Sequence, residues 1–340
     1  MTEPILNLNG KQDHRPFLLF SNITSRCCSL PLQRVLTDFG ADDAYAKCSQ
    51  KVKEHYGIEV SASTIRATTL FHAESMNEQQ NEFDQSFEKT RGCDVEIAEI
   101  DGCMIPIVTP DEEVEDKRKG KTLSWKEARL SMAHPKGSVK PKFSATFQCS
   151  TDETGESLLS CAIKAGFGKN TYLHGVGEGA PWIASQFDDK FGSQGHYLID
   201  FYHVCEYLVA ASIHCCDINP NRWVEKQKKH LKNNDFLQVI ENLSAFIEPE
   251  SYEYNQSPVR ACYRYLNNRK NQLDYKSTLE KGLPIGSGEI KSAHRYVIQK
   301  RLKLSGAWWK DSNVNPMLSL RVVRENEEWE GYWENLKKTA

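Results

Sequence analysis

The sequence predicts an α/β fold in which a mixed sheet is interrupted by an all-helical insertion and preceded by a helix-turn-helix region. Three observations lead there. Apolar residues recur at helical spacing around glycine turns before residue 72, short strand-like runs alternate with helices from 93 to 203, and strand signals stop from 204 to 280. At 340 residues the chain is long enough for two or three folded units, and the expected division is 1–92, 93–203, 204–280 and 281–340.

In the first region Leu32, Val35, Leu36 and Phe39 mark a helix that Gly40 is expected to end. Asp42 or Asp43 can cap a second helix through Tyr45, Cys48 and Val52 to about Tyr56, where Gly57 permits a sharp turn. Ser61 or Ser63 then caps a third helix carrying Ile65, Arg66, Thr68, Thr69 and Phe71. This is the helix-turn-helix arrangement, whose second member enters the major groove, so Ser63, Thr64, Arg66 and Thr69 are candidates to face bases or phosphates. A plain helical hairpin gives the same pattern.

After the polar stretch 77–90 a new domain begins near Cys93. Residues 95–107 read as a strand whose alternation puts Val95, Ile97, Glu99 and Asp101 on one side. Residues 125–133 and 142–149 are neighbouring strands with a basic loop between them, and 158–165 fits either a strand or a short helix. Strands at 171–176 and 196–202 flank a helix over 181–187, with Pro181 in its permitted first turn. Helical patterns at 205–215, 222–232, 235–246 and 258–272 make up the insertion. A glycine-bearing loop with Pro284 spans 282–288, and a last helix of the core starts near Ser287.

Composition bounds the function. Apolar residues are 39% and charged residues 26%, so a globular protein is expected rather than a disordered one. No apolar run approaches the roughly 18 residues of a membrane span, and the start of the chain lacks a signal-peptide pattern, which predicts a soluble, cytoplasmic protein. The eleven cysteines are odd in number and form no C-x-x-C pair, pointing to reduced thiols rather than a disulfide framework or zinc ribbon. His203 with His214, Cys215 and Cys216 fits a hydrogen-bonded core histidine better than a zinc site. The net charge of −3 excludes a uniformly basic nucleic-acid binder, yet charge is segregated. Residues 111–116 hold five acids, 117–142 carry nine Lys or Arg against Glu127 alone, and 291–303 carry five basic residues and no acid. Basic segments flanking clustered acids suit a phosphate backbone beside metal ions.

Phosphodiester cleavage requires stabilisation of a crowded anionic transition state, which divalent ions held by carboxylates supply. Such carboxylates must converge from separate elements. Asp101 on the first strand, Glu178 after a later strand and Glu289 in the first turn of a late helix are placed for this. Asp200 closes another strand, and Glu99 is a spare acid on the face of Asp101.

The blocks DGCMIPIV at Asp101, GVGEGAPWI at Gly175, YLIDFYHVCEYL at Tyr197 and GLPIGSGEIKSAHRYVIQKRLKLSGAWW at Gly282 resemble, in succession, those of mutator-like bacterial insertion-sequence transposases. The similarity spans roughly 93–333, and the last block is its most specific part. The resemblance implies a ribonuclease-H-like fold with a helical insertion and an acidic triad of Asp101, Glu178 and Glu289 binding Mg²⁺ or Mn²⁺. It also places a D-x-x-H element on Asp200 and His203. It implies double-stranded DNA as partner, at least a homodimer on paired element ends, and a nucleoid location. Lys291, Arg295, Lys300, Arg301 and Lys303 are then candidates to grip DNA, while Trp308, Trp309, Trp329 and Trp333 read as packing residues.

One block departs from the pattern. The family's second block reads G-D-G, and here it is Gly177-Glu178-Gly179, longer by one methylene where two-metal chemistry tolerates displacement poorly. An impaired enzyme and a DNA-binding regulator built on an inactive core therefore both stand, as does Asp200 as an alternative second ligand. A rival of another class is a dinucleotide-dependent oxidoreductase, because Gly175, Gly177 and Ala180 match G-x-G-x-x-A with Asp200 about 20 residues on. Against it, Glu178 would point an anion at the pyrophosphate.

Overall fold

Three helices open the main body of the chain: α1 (Leu30–Asp42), α2 (Tyr45–Tyr56) and α3 (Ala62–Gln80). The computed structural model describes residues 6–7, 13–14, 28–80, 89–111, 113–114, 120–253 and 256–339. Parts of the polar stretch 77–90 and of the acidic and basic runs around 111–119 lie outside the described residues, as does Cys27. A two-residue antiparallel ladder pairs Leu6–Asn7 with Asp13–His14.

Gly57 ends α2 in the left-handed conformation with φ 67°, as the turn required, and the Ser61 hydroxyl caps α3 by accepting from Thr64 N at 3.1 Å. Gly40 does not stop α1. The helix runs on to Asp42, and a Cβ on Gly40 would lie 2.1 Å from Thr69 Oγ1, so the glycine serves close approach of α1 and α3.

The strands are β1 (Val95–Pro110), β2 (Lys121–Pro135), β3 (Lys142–Phe147), β4 (Tyr172–Gly177) and β5 (Gly195–Ile199). They form one mixed sheet in the order β3-β2-β1-β4-β5. Antiparallel β2 and β3 pair from Ala128↔Phe147 to Ala133↔Lys142. Parallel β1 and β4 pair from Val95↔Tyr172 to Glu99↔Val176, and parallel β4 and β5 from Leu173↔Gly195 to Gly177↔Ile199. The ambiguous segment 158–165 is helical, within α4 (Thr151–Ala165). A capping box decides it: Ser150 Oγ accepts from Glu153 N while Ser150 N donates to the Glu153 carboxylate. α5 (Pro181–Phe191) lies between β4 and β5.

The strand expected over 196–202 stops at Ile199, because Asp200 caps α6 (Phe201–Cys215). There follow α7 (Pro220–Lys232), α8 (Phe236–Ser244), α9 (Pro258–Asn267), α10 (Tyr275–Glu280) and α11 (Gly288–His294). A π-helical turn occupies Arg295–Gln299, and α12 (Val314–Glu325) and α13 (Trp329–Thr339) complete the chain.

Two compact units divide the molecule: Met1–Phe83, Met104–Glu127 and Arg295–Ala340 form the first, and Asp84–Cys103 with Ala128–His294 form the second. The helices of 204–280 thus belong with the sheet. In the first unit, buried Arg321 bonds Asp42, Glu325 and the Val297 carbonyl, and His72 links Gln33 (2.9 Å) with Tyr332 (2.8 Å). Trp333 is buried against His72, as a packing residue should be. In the second unit, Ala98 and Ile100 of β1 pack under Leu158 and Leu159 of α4 and Ile183 and Phe187 of α5. A second core joins Leu208, Leu231, Leu243, Cys262 and Leu266 of α6 to α9. Burying each Leu, Ile or Phe of these cores contributes about 1.5–3 kcal/mol. Ala98 and Ile100 of β1 thus face α4 and α5, which leaves Ile97, Glu99 and Asp101 on the opposite side.

Candidate active site

β1 runs on past β4, so Asp101 lies just beyond the last paired residue, Glu99. Glu178 follows the end of β4 by one residue, and Asp200 follows the end of β5 by one. Crevices outside the carboxyl ends of parallel strands are where open α/β sheets place ligands. α11 brings Glu289 to the same place: its Ile290 N–H donates to Glu99 Oε2 at 2.8 Å.

Glu99 ties β1 to α11 at this place. It is fully buried, and its carboxyl is pushed up to about 8, first by burial and then by the negative charges of Glu289, Asp200 and Asp101, against the pull of the Ile290 N–H. Lys291 gives the complementary report. Its ammonium stands 3.0 Å from Glu178 Oε1 and 3.6 Å from Asp200 Oδ2. Burial works against its charge, but Glu178, Asp200 and Asp101 hold its pKa above the usual value. The carboxylates of Glu178 and Asp200 are therefore no farther apart than those two contacts laid end to end. Two buried histidines stand against the other acids, His134 Nε2 at 3.1 Å from Glu289 and His294 Nε2 at 3.6 Å from Asp101. A cavity of about 530 Å³ opens here, lined by Asp200, Tyr202, Ile285, Gly286, Glu289 and Lys291 among others.

Asp200 is an anchor. Its Oδ1 accepts from Tyr202 N (2.7 Å) and His203 N (3.2 Å), and its Oδ2 from Ser287 N (3.0 Å) and Ser287 Oγ (2.6 Å). Burial alone would raise its pKa, but these bonds hold the carboxyl below the usual aspartate value. The loop before Glu289 is thereby tied to the start of α6. His203 contributes only its backbone N–H to Asp200; its ring meets Glu206 at 3.1 Å and packs edge-on to Tyr207 and Tyr265.

The loop bearing Glu178 is held through its backbone. Tyr265 Oη donates to Glu178 O at 2.8 Å, Arg269 Nε to Gly179 O at 2.7 Å, and Gly179 N to Tyr197 Oη at 3.1 Å. Gly179 has φ 82°, a conformation that favours glycine. Gly175 and Gly177 leave room for the Phe187 ring and the Tyr197 hydroxyl, so packing within this chain accounts for the G-x-G pattern.

A family model described as an uncharacterised protein family, UPF0236, matches residues 33–337. The chain belongs to this family. No curated protein matches it. The matched span of this UPF0236 protein runs from α1 to α13 and takes in every acid of the cluster.

Of the residues expected to contact DNA, Ser63, Arg66, Lys291, Arg295, Lys300 and Lys303 are exposed and Thr64 is half-buried. Thr69 and Arg301 are corrections. Thr69 is buried with its hydroxyl donating to Leu36 O, and Arg301 is buried with its Nε donating to Gly40 O at 2.8 Å. Lys300 pairs with Asp42 at 3.1 Å. Among the described residues no three His, Cys, Asp or Glu side chains stand close enough, as placed, to hold one ion. Nor has any described helix the length and apolarity to cross a membrane. Sequence reasoning missed the roles of Ser287, His134 and His294, which contact acids far away in the chain, and of Tyr265 and Arg269, which bond the backbone at Glu178 and Gly179.

Proposed function

We propose that the protein is a DNA transposase whose carboxylate centre, on a ribonuclease-H-like core, cuts and rejoins DNA. The observation that carries this reading is the set of contacts at the carboxyl ends of the strands: Lys291 at 3.0 Å from Glu178 and 3.6 Å from Asp200, Glu99 of β1 bonded to the Ile290 N–H beside Glu289, and His294 at 3.6 Å from Asp101. The sheet order, with β1 flanked by β2 and β3 on one side and by parallel β4 and β5 on the other, supports it.

Oxygen-only donors suit Mg²⁺ or Mn²⁺, and Asp101, Glu178 and Glu289 would hold them once Lys291 gave up Glu178. When bound, such ions supply charge neutralisation at a phosphodiester under attack. The chain's own groups do the rest. Lys291, released from Glu178, offers its ammonium to a phosphate oxygen. His134 and His294 stand within proton-transfer reach of Glu289 and near Asp101, and Asp200 fixes the loop that carries Glu289. Ser63, Thr64, Arg66, Arg295, Lys300 and Lys303 would meet double-stranded DNA, and paired element ends call for at least two copies.

The Lys291–Glu178 ion pair favours a second reading, a DNA-binding regulator in which the lysine has taken over the cation's role. Strand cleavage and strand transfer on DNA carrying the element's ends, with Mg²⁺ or Mn²⁺, separate the two. The transposase reading expects both reactions, with losses of about 10²–10³-fold or more in Asp101→Asn and Glu289→Gln. DNA binding without cleavage in either metal selects the regulator, and undiminished cleavage in both variants excludes the carboxylate assignment.

A further inference from the structure

Within the first unit a cavity of about 350 Å³ is lined by Tyr45, Arg66, Arg301, Trp308, Trp309 and Lys310, with apolar and amide residues between them. Three cations and three aromatic rings meet there without a carboxylate. The nearest acids in sequence are engaged elsewhere: Asp42 with Lys300 and Arg321, Asp43 with Lys47 and Lys51, and Asp311 with Lys126. Among the described residues Arg66, Arg301 and Lys310 enter no ion pair, so the lining presents positive charge that Asp43 reaches only at Arg301 and without contact.

The rings are not equivalent. The Arg301 guanidinium lies between Tyr45 and Trp309, 4.8 Å from each ring centroid, which commits those two faces to a buried cation. Trp308 is left 42% exposed. A partly exposed indole in one cavity with exposed Arg66 and Lys310 suits a ligand that is planar and aromatic at one end and anionic at the other. The volume falls in the range of small-ligand sites, about 300–1,000 Å³.

We infer that this pocket binds a nucleotide, with the base stacked on Trp308 and the phosphate met by Arg66 and Lys310. Stacking reads a π-face rather than an edge, so the site discriminates little among bases. The nucleotide comes either free or as an unpaired residue of a DNA strand. The inference does not depend on the carboxylate centre, and Asp101→Asn leaves it intact.

The test uses the full chain and two kinds of fluorescent probe whose emission falls on stacking: 2-aminopurine riboside with and without its 5′-monophosphate, and a duplex with one unpaired 2-aminopurine beside a fully paired control. Saturable quenching of the monophosphate is expected, weakened about 10-fold or more in Trp308→Ala, largely kept in Trp308→Phe, and weakened in Arg66→Ala for the monophosphate but not for the nucleoside. Quenching of the unpaired duplex alone also supports the site and assigns the strand as its source. Trp308 and Arg66 are exposed, so unchanged thermal melting of the variants separates ligand loss from misfolding. The proposal is overturned if neither probe is quenched saturably, or if Trp308→Ala and Arg66→Ala bind as tightly as the parent.

Discussion

Removing the Asp200 side chain separates an anchoring carboxylate from a metal ligand. In Asp200→Ala, α6 loses its N-cap, worth about 0.5–2 kcal/mol. The Ser287 N–H and hydroxyl, on a residue only 1% exposed, lose their acceptor, and a buried donor left unmade costs about 1–3 kcal/mol. These terms overlap, and the expected destabilisation is about 3–5 kcal/mol. Asp200→Asn keeps an oxygen for the cap but turns an amide donor toward the Ser287 N–H, so it should fall between the parent and alanine. Urea unfolding followed by circular dichroism measures both, without DNA or metal. The pH dependence follows from the depressed pKa of Asp200. Its contribution is complete above the unfolded value, 3.8, and is lost as pH falls through the lower folded value. The gap between parent and Asp200→Ala should therefore narrow below about pH 4. A gap under about 1 kcal/mol at pH 7, or one that stays constant into strong acid, would refute the anchoring role.

Glu96 is buried and pushed up to about 8, chiefly by burial, with the Cys93 thiol donating to it at 3.6 Å. Raising pH from about 4.5 to 8 charges it in the unfolded chain first, so the parent should lose up to roughly 4 kcal/mol relative to Glu96→Gln between pH 5 and 9; equal melting differences at both ends would contradict this. Arg269→Ala removes the bond to Gly179 O and should speed amide exchange around Glu178 while lowering global stability by no more than about 2 kcal/mol, which hydrogen–deuterium exchange resolves. Glu178→Asp draws the carboxylate back by about 1.5 Å, breaking its contact with Lys291. Because both partners are 43% exposed, stability should change by less than about 1 kcal/mol. Metal-dependent cleavage should match or exceed the parent's, and a fall would mark Glu178 as the fitted ligand.

Local chemistry was legible in the sequence where the interaction itself is local. Gly57 ends α2 because a left-handed residue is needed there, and the Ser150–Glu153 box settles α4 over four adjacent residues. Gly40 misled because a glycine inside a helical pattern reads as a stop unless one knows that Thr69, 29 residues on, needs the space its Cβ would fill. Asp200 read as the end of a strand, but its four hydrogen bonds include two to Ser287, 87 residues away, which no window reveals. The sequence shows the charge of Lys291 but not the carboxylates of Glu178 and Asp200 that the fold sets beside it. Tyr265 and Arg269 looked like ordinary residues of a helical insertion. Their hydroxyl and guanidinium reach a loop about 90 positions earlier.

Those two residues give the helical segment a physical reason to interrupt the core. Glu178 sits between two glycines, on a backbone that would otherwise sample many conformations. The proposed chemistry on a phosphodiester would tolerate misplacement of about an ångström poorly, and it calls for such a loop to be held from outside. Tyr265 and Arg269 bind its carbonyls, and Tyr207 stacks on Tyr265 with centroids 4.2 Å apart, passing the constraint from α6 to α9. Ser287 does the same for the loop before Glu289 by tying it to the cap of α6. Both devices grip backbone or a buried anchor and leave the carboxylates of Glu178 and Glu289 facing outward. Under the proposed reading the two ties do one job, fixing the backbone beside Glu178 and Glu289 from elements about 90 positions away in the chain, and loss of either tie should loosen its loop without touching a carboxylate.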